Sequence, residues 1–410
     1  MTNYIILALC VIIILAYIFD LSSRFSKIPG VILLIALGMV IQLISESTGF
    51  KIPNLKPILP VIGTLGLIMI VMEASLDIQL KKDKKGLIIK SISAAVILFV
   101  VFVAIFSFIL IYFFGLSLRD SLLNSIPLGV ISSSIAIPSA ISLNPSDKEF
   151  VVYESSFSDI FGIMVFDFIL LNESSIGSAI FTFARDSIIT IVIALISTGV
   201  LGYLLHRTTY HVNYVIILTF IVLIYSLAEL IHLPALLLIL IFGLVLANNK
   251  FLEIIYIKRF IDFPKFRNDI GSFKKILVEL TFLVRSFFFI MFGYYTQINN
   301  LLNLNNIFTG FLISLGILFL RWLFFRLVLR LPTLPMVFFA PRGLITILLF
   351  LSIPAISRVP LISEEVVTIV ILITIIMMTI GNLFQKKEIY NPGEEQANNN
   401  KDTGELSKIL

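Results

Sequence analysis

Residues 153–171 read YESSFSDIFGIMVFDFILL, an apolar run about long enough to cross a bilayer, yet it carries Glu154, Asp159 and Asp167. A charge at the centre of the hydrocarbon costs about 2.5–3.5 kcal/mol on insertion scales. Such residues face a bundle interior and mark ion pathways. Asp159 has no basic neighbour in sequence. Ser155, Asp159 and Gly162 recur at i, i+4 and i+7, so one helix face carries all three. Gly162 leaves room for a second backbone to approach the carboxylate, and Ser155 and Ser158 offer hydroxyl oxygens. The segment suited to approach is SIPLGVISSSIAIPSAISL, residues 125–143, where Ser132, Ser133 and Ser134 precede Pro138. A proline inside a helix removes a backbone hydrogen bond and clashes one turn back. Free backbone is tolerated at membrane depth only where it is buried in protein or lines a cavity. Together these residues predict a small oxygen-lined cage around one carboxylate. Hard cations take such ligands, so Asp159 is the candidate site for a hard cation. The competing reading is an aspartate that caps or hydrogen-bonds locally.

A second break lies in PMVFFAPRGLITILLF, residues 335–350, where Pro341-Arg342-Gly343 interrupts an apolar run. Broken helices at corresponding positions in two halves of a chain point to a binding site. Glu154 sits on a different helix face from Asp159 and needs a partner; Arg342 is the expected one, in a structural pair. Arg321, deep in another span, is a further core charge, or else an arginine whose head snorkels to the interface. Asp167, Arg285 and Glu73 form a second tier.

The elements that hold these residues follow from composition. The 410 residues are 59% hydrophobic and 13% charged, with mean hydropathy +1.07. Soluble domains are nearer a quarter charged, so lipid is the expected solvent. The single cysteine, Cys10, excludes an intramolecular disulfide, and the three histidines are scattered. No cofactor and no nucleic-acid partner are expected. The apolar N-terminus lacks a basic leader and a cleavage signal, and is read as a retained first span.

Spans of about 17–25 apolar residues are expected near 3–19, 28–45, 60–79, 87–114, 121–143, 149–171, 178–205, 213–231, 234–248, 276–298, 306–330, 334–356 and 362–385. The broken spans are the fifth and twelfth. An offset of seven gives them opposite orientations, as an inverted repeat requires. With the N-terminus outside, 21 lysines and arginines fall in or beside inner connections and four in outer ones. That asymmetry predicts an outer N-terminus and a cytoplasmic C-terminus. The basic stretch 249–275 reads either as an amphipathic segment on the cytoplasmic face or as a solvated loop. Residues 386–410 read as a disordered cytoplasmic tail, and residues 1–385 as one transmembrane domain.

With these residues placed, the sequence resembles the cation/proton antiporter superfamily, its sodium/proton exchangers above all. Glu154-Ser155-Ser156-Phe157-Ser158-Asp159 looks like the sixth-helix motif Glu-Ser-x-x-Asn-Asp. APRGLITILLF, residues 340–350, looks like the Gly-Leu-Arg-Gly segment of the second broken helix. MEASLDIQL (72–80) and SFFFIMFGYYTQ (286–297) resemble weaker family segments. The resemblance implies an all-α polytopic fold of about 13 helices, with inverted repeats and two broken, crossing helices. It implies spans 5, 6, 11, 12 and 13 in the core, spans 1–3 and 8–10 on a scaffold and dimer side, and a homodimer. It assigns the ion- and proton-carrying role to Asp159, pairs Glu154 with Arg342, and sets Arg321 beside the crossing. Two departures stand out: Ser158 replaces the family's Asn, and Ser132-Ser133-Ser134 replaces the Thr-Asp-Pro of many exchangers.

The expected activity is cation:proton antiport, Na+ or K+ against H+, serving pH homeostasis at the cell (inner) membrane. A single exchangeable carboxylate makes it one for one and electroneutral. The alternatives are a sodium-coupled organic anion symporter on the same plan, a channel, and a non-transporting sensor or scaffold. An enzyme is not expected, since no nucleophile–His pairing, metal motif or phosphate loop is present.

Overall fold

A chain that must satisfy its backbone groups within hydrocarbon has helices as its only open-ended solution. In the computed structural model every regular element among the described residues is helical. The structure describes residues 2–26, 29–48, 58–78, 85–140, 143–171, 176–207, 213–248, 263–330 and 334–383. The expected tail at 386–410 and residues 249–262 of the basic stretch lie outside them.

The first helices are α1 (Thr2–Ser26), α2 (Gly30–Thr48), α3 (Leu59–Asp77) and α4 (Lys85–Phe114). The fifth expected span is two half-helices, α5 (Leu118–Gly129) and α6 (Ser133–Ser139). Then come α7 (Pro145–Leu171), α8 (Ile176–Arg207), α9 (Asn213–Leu230), α10 (Ala235–Ala247) and α11 (Phe263–Tyr295). Helix α12 (Leu304–Phe324) continues as a π-helical turn, Phe325–Leu329. The twelfth expected span is a 3-10 turn at Met336–Phe338, non-helical backbone, and α13 (Leu344–Ser352); α14 (Glu364–Leu383) follows.

The apolar runs predicted these boundaries to within a few residues, with two corrections, the first being that α1 runs to Ser26, seven residues past its expected end at 19. The tenth helix begins at Phe263, thirteen residues before its expected start at 276, so the end of the basic stretch is helical and continuous with the span. Seven of the described helices or helix pairs are long and apolar enough to cross a bilayer. Helix α7 carries three carboxylates in that length and α13 has 9 residues, so neither meets that test. The charges and breaks that mark the site also weaken the membrane signal there.

Packing sorts the helices into two groups. Helix α2 lies along α11, α3 against α11 and α10, and α10 against α8. The α2–α11 contact is backbone on backbone: a methyl group on Gly38 would fall 2.1 Å from the Ile290 carbonyl oxygen, and one on Gly293 2.2 Å from that of Ile35. Small residues that let backbones meet are what hold helices together in lipid. In the other group α4 packs on α7 and α5, and α12 on α14. The α4–α7 packing recurs seven spans later as α12–α14. Each pair flanks one broken span, as an inverted repeat demands. The outward faces are apolar, with Phe108, Tyr112, Ile188 and Leu230 all exposed.

Candidate functional site

The two breaks meet. Backbone 130–132, between α5 and α6, is extended at both ends, with Val130 at φ −77°, ψ 131° and Ser132 at φ −79°, ψ 113°. It runs against the non-helical backbone before α13, and the Ser132 N–H donates to the Pro341 carbonyl at 2.9 Å. Gly343 permits this crossing, because a Cβ there would lie 2.6 Å from Ser132 Oγ. Gly162 of α7 does the same for Val130, whose Cγ2 would stand 2.2 Å from an added Cβ. The room expected at Gly162 for another backbone is filled by the Val130 side chain.

Broken helices leave free carbonyls at one end and free N–H groups at the other. The C-terminal end of α5 is met by Arg342. Its Nε donates to the Leu128 carbonyl at 2.8 Å, its Nη2 to Gly129 at 3.3 Å and its Nη1 to Ala340 at 2.9 Å. Its own N–H donates to Thr374 Oγ1 of α14 at 3.0 Å. The start of α6 is met by Asp159, whose Oδ2 accepts from the Ser133 N–H at 3.0 Å. Each charge faces the half-helix end of opposite polarity.

This corrects the expected pairing of Glu154 with Arg342. Glu154 is held by Arg321, with Nη1 to Oε1 at 2.6 Å and Nη2 to Oε2 at 2.7 Å. Arg321 also donates from Nε to the Met336 carbonyl at 3.1 Å and lies over the Phe325 ring at 4.7 Å. The reason is competition for acceptors. Arg342 sits in the second break itself, where the orphaned carbonyls of α5 claim its donors. Arg321 comes from an unbroken helix with a guanidinium to place, and a two-pronged carboxylate pair satisfies it. Burial is near complete: Glu154 is 1% exposed, Arg321 2%, Arg342 3% and Asp159 3%. Arg321 is thus no snorkelling arginine.

The serines divide into struts and candidate ligands. Ser158 Oγ accepts from the Ile131 N–H at 2.9 Å. It fixes the extended backbone at Ile131 and so spends one of the lone pairs for which it was expected among the ion ligands. Ser155 Oγ donates back to the Val151 carbonyl at 2.7 Å, so its oxygen keeps lone pairs for a cation. Ser132 Oγ and Ser134 Oγ share a hydrogen bond of 3.0 Å. Asp159 Oδ1 is buried and has no hydrogen-bond partner among the described residues.

The second tier separates. Glu73 of α3 and Arg285 of α11 line a cavity of about 60 Å³ with Ser133, Ser134 and Pro138. Arg285 Nη1 donates to the Ser134 carbonyl at 3.0 Å. These residues adjoin the crossing. Asp167 lies eight residues beyond Asp159 on α7, about 12 Å along the axis, and is not at the crossing. Sequence reasoning missed Thr374, Leu128 and Gly129. The last two contribute only carbonyls, which no side-chain pattern can signal, and a threonine inside an apolar span has no distinguishing mark.

Comparison with known proteins agrees with this architecture. Two solved structures of the sodium proton antiporter MjNhaP1 from Methanocaldococcus jannaschii share the fold. One, at pH 8, matches with a TM-score of 0.62 at 19% identity over 92% of this chain and 95% of that one. The other, an electron-microscopy map, matches at 0.67 and 19% identity over 93% and 95%. At that identity the likeness carries the fold alone. No curated protein matches the sequence. The family model described as "Sodium/hydrogen exchanger, transmembrane" matches residues 10–386, and the chain is accordingly an integral membrane transporter, not an enzyme, belonging to the sodium/hydrogen exchanger family.

Proposed function

We propose that the protein exchanges a monovalent cation, Na+ or K+, for H+, one for one, by presenting Asp159 alternately to the two sides of the membrane. The observation that carries this reading is the difference between Asp159 and the other buried charges. Glu154 and Arg321 neutralise each other in a two-pronged pair. Arg342 spends its donors on three carbonyls. Asp159 alone of the four has one oxygen held, by Ser133, and one oxygen without a partner.

An ionised carboxylate so buried is costly unless a cation or proton balances it. Either occupant makes the site neutral and fit to pass through hydrocarbon; the empty site is not. That penalty couples the two fluxes. One carboxylate with one open oxygen admits one occupant, which sets the stoichiometry. The fixed charges travel in both directions and do not alter it. For Na+ or K+ the ligands are Asp159 Oδ1, with Ser155 Oγ on the same helix face and the hydroxyls of Ser132, Ser133 and Ser134 across the crossing. The group containing α4–α7 and α12–α14 moves against the group containing α1–α3 and α8–α11, which assigns α4 to the mobile side as well. The basic connections put the Asp77 end of α3 in the cytoplasm, and two copies form a homodimer.

The test is proton flux in reconstituted vesicles on addition of each alkali cation. Active exchange should be abolished in Asp159→Asn while the variant's melting temperature stays that of the wild type. Exchange that persists in Asp159→Asn overturns the assignment.

A further inference from the structure

Pro138 lies inside α6 and has no N–H to give to the carbonyl four residues back. That carbonyl belongs to Ser134, next to the residue whose N–H holds Asp159. A carbonyl left unpaired at membrane depth needs a donor. The donor comes from another helix and from the other packing group: Arg285 Nη1 of α11, at 3.0 Å. Arg285 also lines the cavity of about 60 Å³ whose opposite wall is α6, with Ser133, Ser134, Ile137 and Pro138, and whose third wall is α3, with Glu73. The cavity reaches the half of the membrane toward which both α6 and α3 run, the Asp77 side. Ser133 stands between it and Asp159.

The bond therefore joins the element that carries the site to the element it has to move past. We propose that Arg285 is a positioning residue: its hydrogen bond to the carbonyl that Pro138 leaves free latches α6 to α11 while the site is open on the Asp77 side, and each transport cycle breaks and remakes it. Water in the cavity can take over the carbonyl when the latch opens, so the broken state is not barred. The proline supplies the acceptor and the arginine supplies the donor, and neither works as a latch without the other. This inference rests on the alternating-access reading above.

Cavity labelling tests it without requiring transport. In a Cys10→Ser background, an Ile137→Cys reporter faces the cavity. Its rate of reaction with a membrane-impermeant maleimide applied from the Asp77 side measures how much of the time that side is open. Arg285→Gln should slow labelling roughly fivefold, the net scale of one ordinary hydrogen bond in a site that water can enter. The apparent KM for cation presented on that side should rise by the same factor, because affinity scales with the population of the competent state. Pro138→Ala gives Ser134 a donor of its own and should slow labelling too. Adding Arg285→Gln to it should then change little. Unchanged labelling in Arg285→Gln with a lowered melting temperature makes the arginine a strut and overturns the latch. So do effects of the two substitutions that simply multiply. If Asp159→Asn still exchanges ions while the labelling results hold, the exchange reading fails and the latch stands.

Discussion

At the residue scale the site is a problem of four buried charges and few donors. Glu154 and Arg321 form the strongest contact there is among them, two short charge-assisted bonds in a dry setting. Removing one member leaves an uncompensated buried charge, which typically costs about 3–5 kcal/mol, whereas removing both together costs much less. We expect Arg321→Gln and Glu154→Gln each to lower the melting temperature sharply, and the double variant to recover much of the loss. Thermal unfolding in detergent checks this; additive losses would show that the pair is not a unit. Arg321→Lys should not rescue, because an ammonium cannot make the two-pronged contact. Under the proposed exchange Asp159 behaves differently, its open oxygen serving the occupant and not the fold. Competition for that oxygen means that the apparent KM for the cation rises in proportion to proton concentration, with the maximal rate unchanged. Initial rates across a pH series measure it, and a fall in maximal rate at constant KM would argue for separate proton and cation sites.

At the element scale the decisive feature is that two broken spans cross at their breaks. The backbones touch at Ser132 and Pro341, and Gly162 and Gly343 leave the room that the Val130 and Ser132 side chains fill. Gly162→Ala places a methyl group on Val130, so it should destabilise the protein by about 1–3 kcal/mol, the usual cost of overpacking. Val130→Ala added to it should restore the loss, which a melting comparison of the three variants reads directly. Both helix ends at the break between α5 and α6 have a charged partner of the right sign. The same device recurs at the rim: Arg119 donates to the Ile169 and Leu170 carbonyls at the end of α7, and Arg358 to Leu351 and Ile353 at the end of α13. Asn124 of α5 donates to the Ser357 carbonyl and accepts from the Val359 N–H. This ties α5 to the connection after α13, so the two halves of the repeat are joined beyond the crossing as well as at it.

At the scale of the whole molecule, the proposed single exchangeable carboxylate predicts transport without net charge movement. Vesicles exchanging cation for proton should develop no voltage, and clamping the membrane potential should leave the rate unchanged. A voltage-sensitive dye reports this. A potential that builds up during exchange would require a second titrating group, with Glu73 in the adjacent cavity the first to replace.

The amino-acid sequence by itself determined what depends on local pattern and on the cost of burying charge. The apolar runs located the spans, Pro341 the second break, and the spacing of Asp159 and Gly162 a face that meets the crossing; the first break falls at 130–132, before Pro138, which lies inside α6. The signal was strong because hydrocarbon penalises every exception, so exceptions mark function. What only the tertiary structure decided was which arginine meets Glu154. Arg321 and Arg342 are equivalent in sequence: each is a guanidinium in an apolar run, far along the chain from the glutamate. The choice turns on the carbonyls freed at the end of α5, which reach Arg342 only after the two breaks have crossed. The contacts of Ser158 and Arg285 were hidden for the same reason, since backbone acceptors and donors carry no letter in the sequence and acquire partners only when distant segments are brought together.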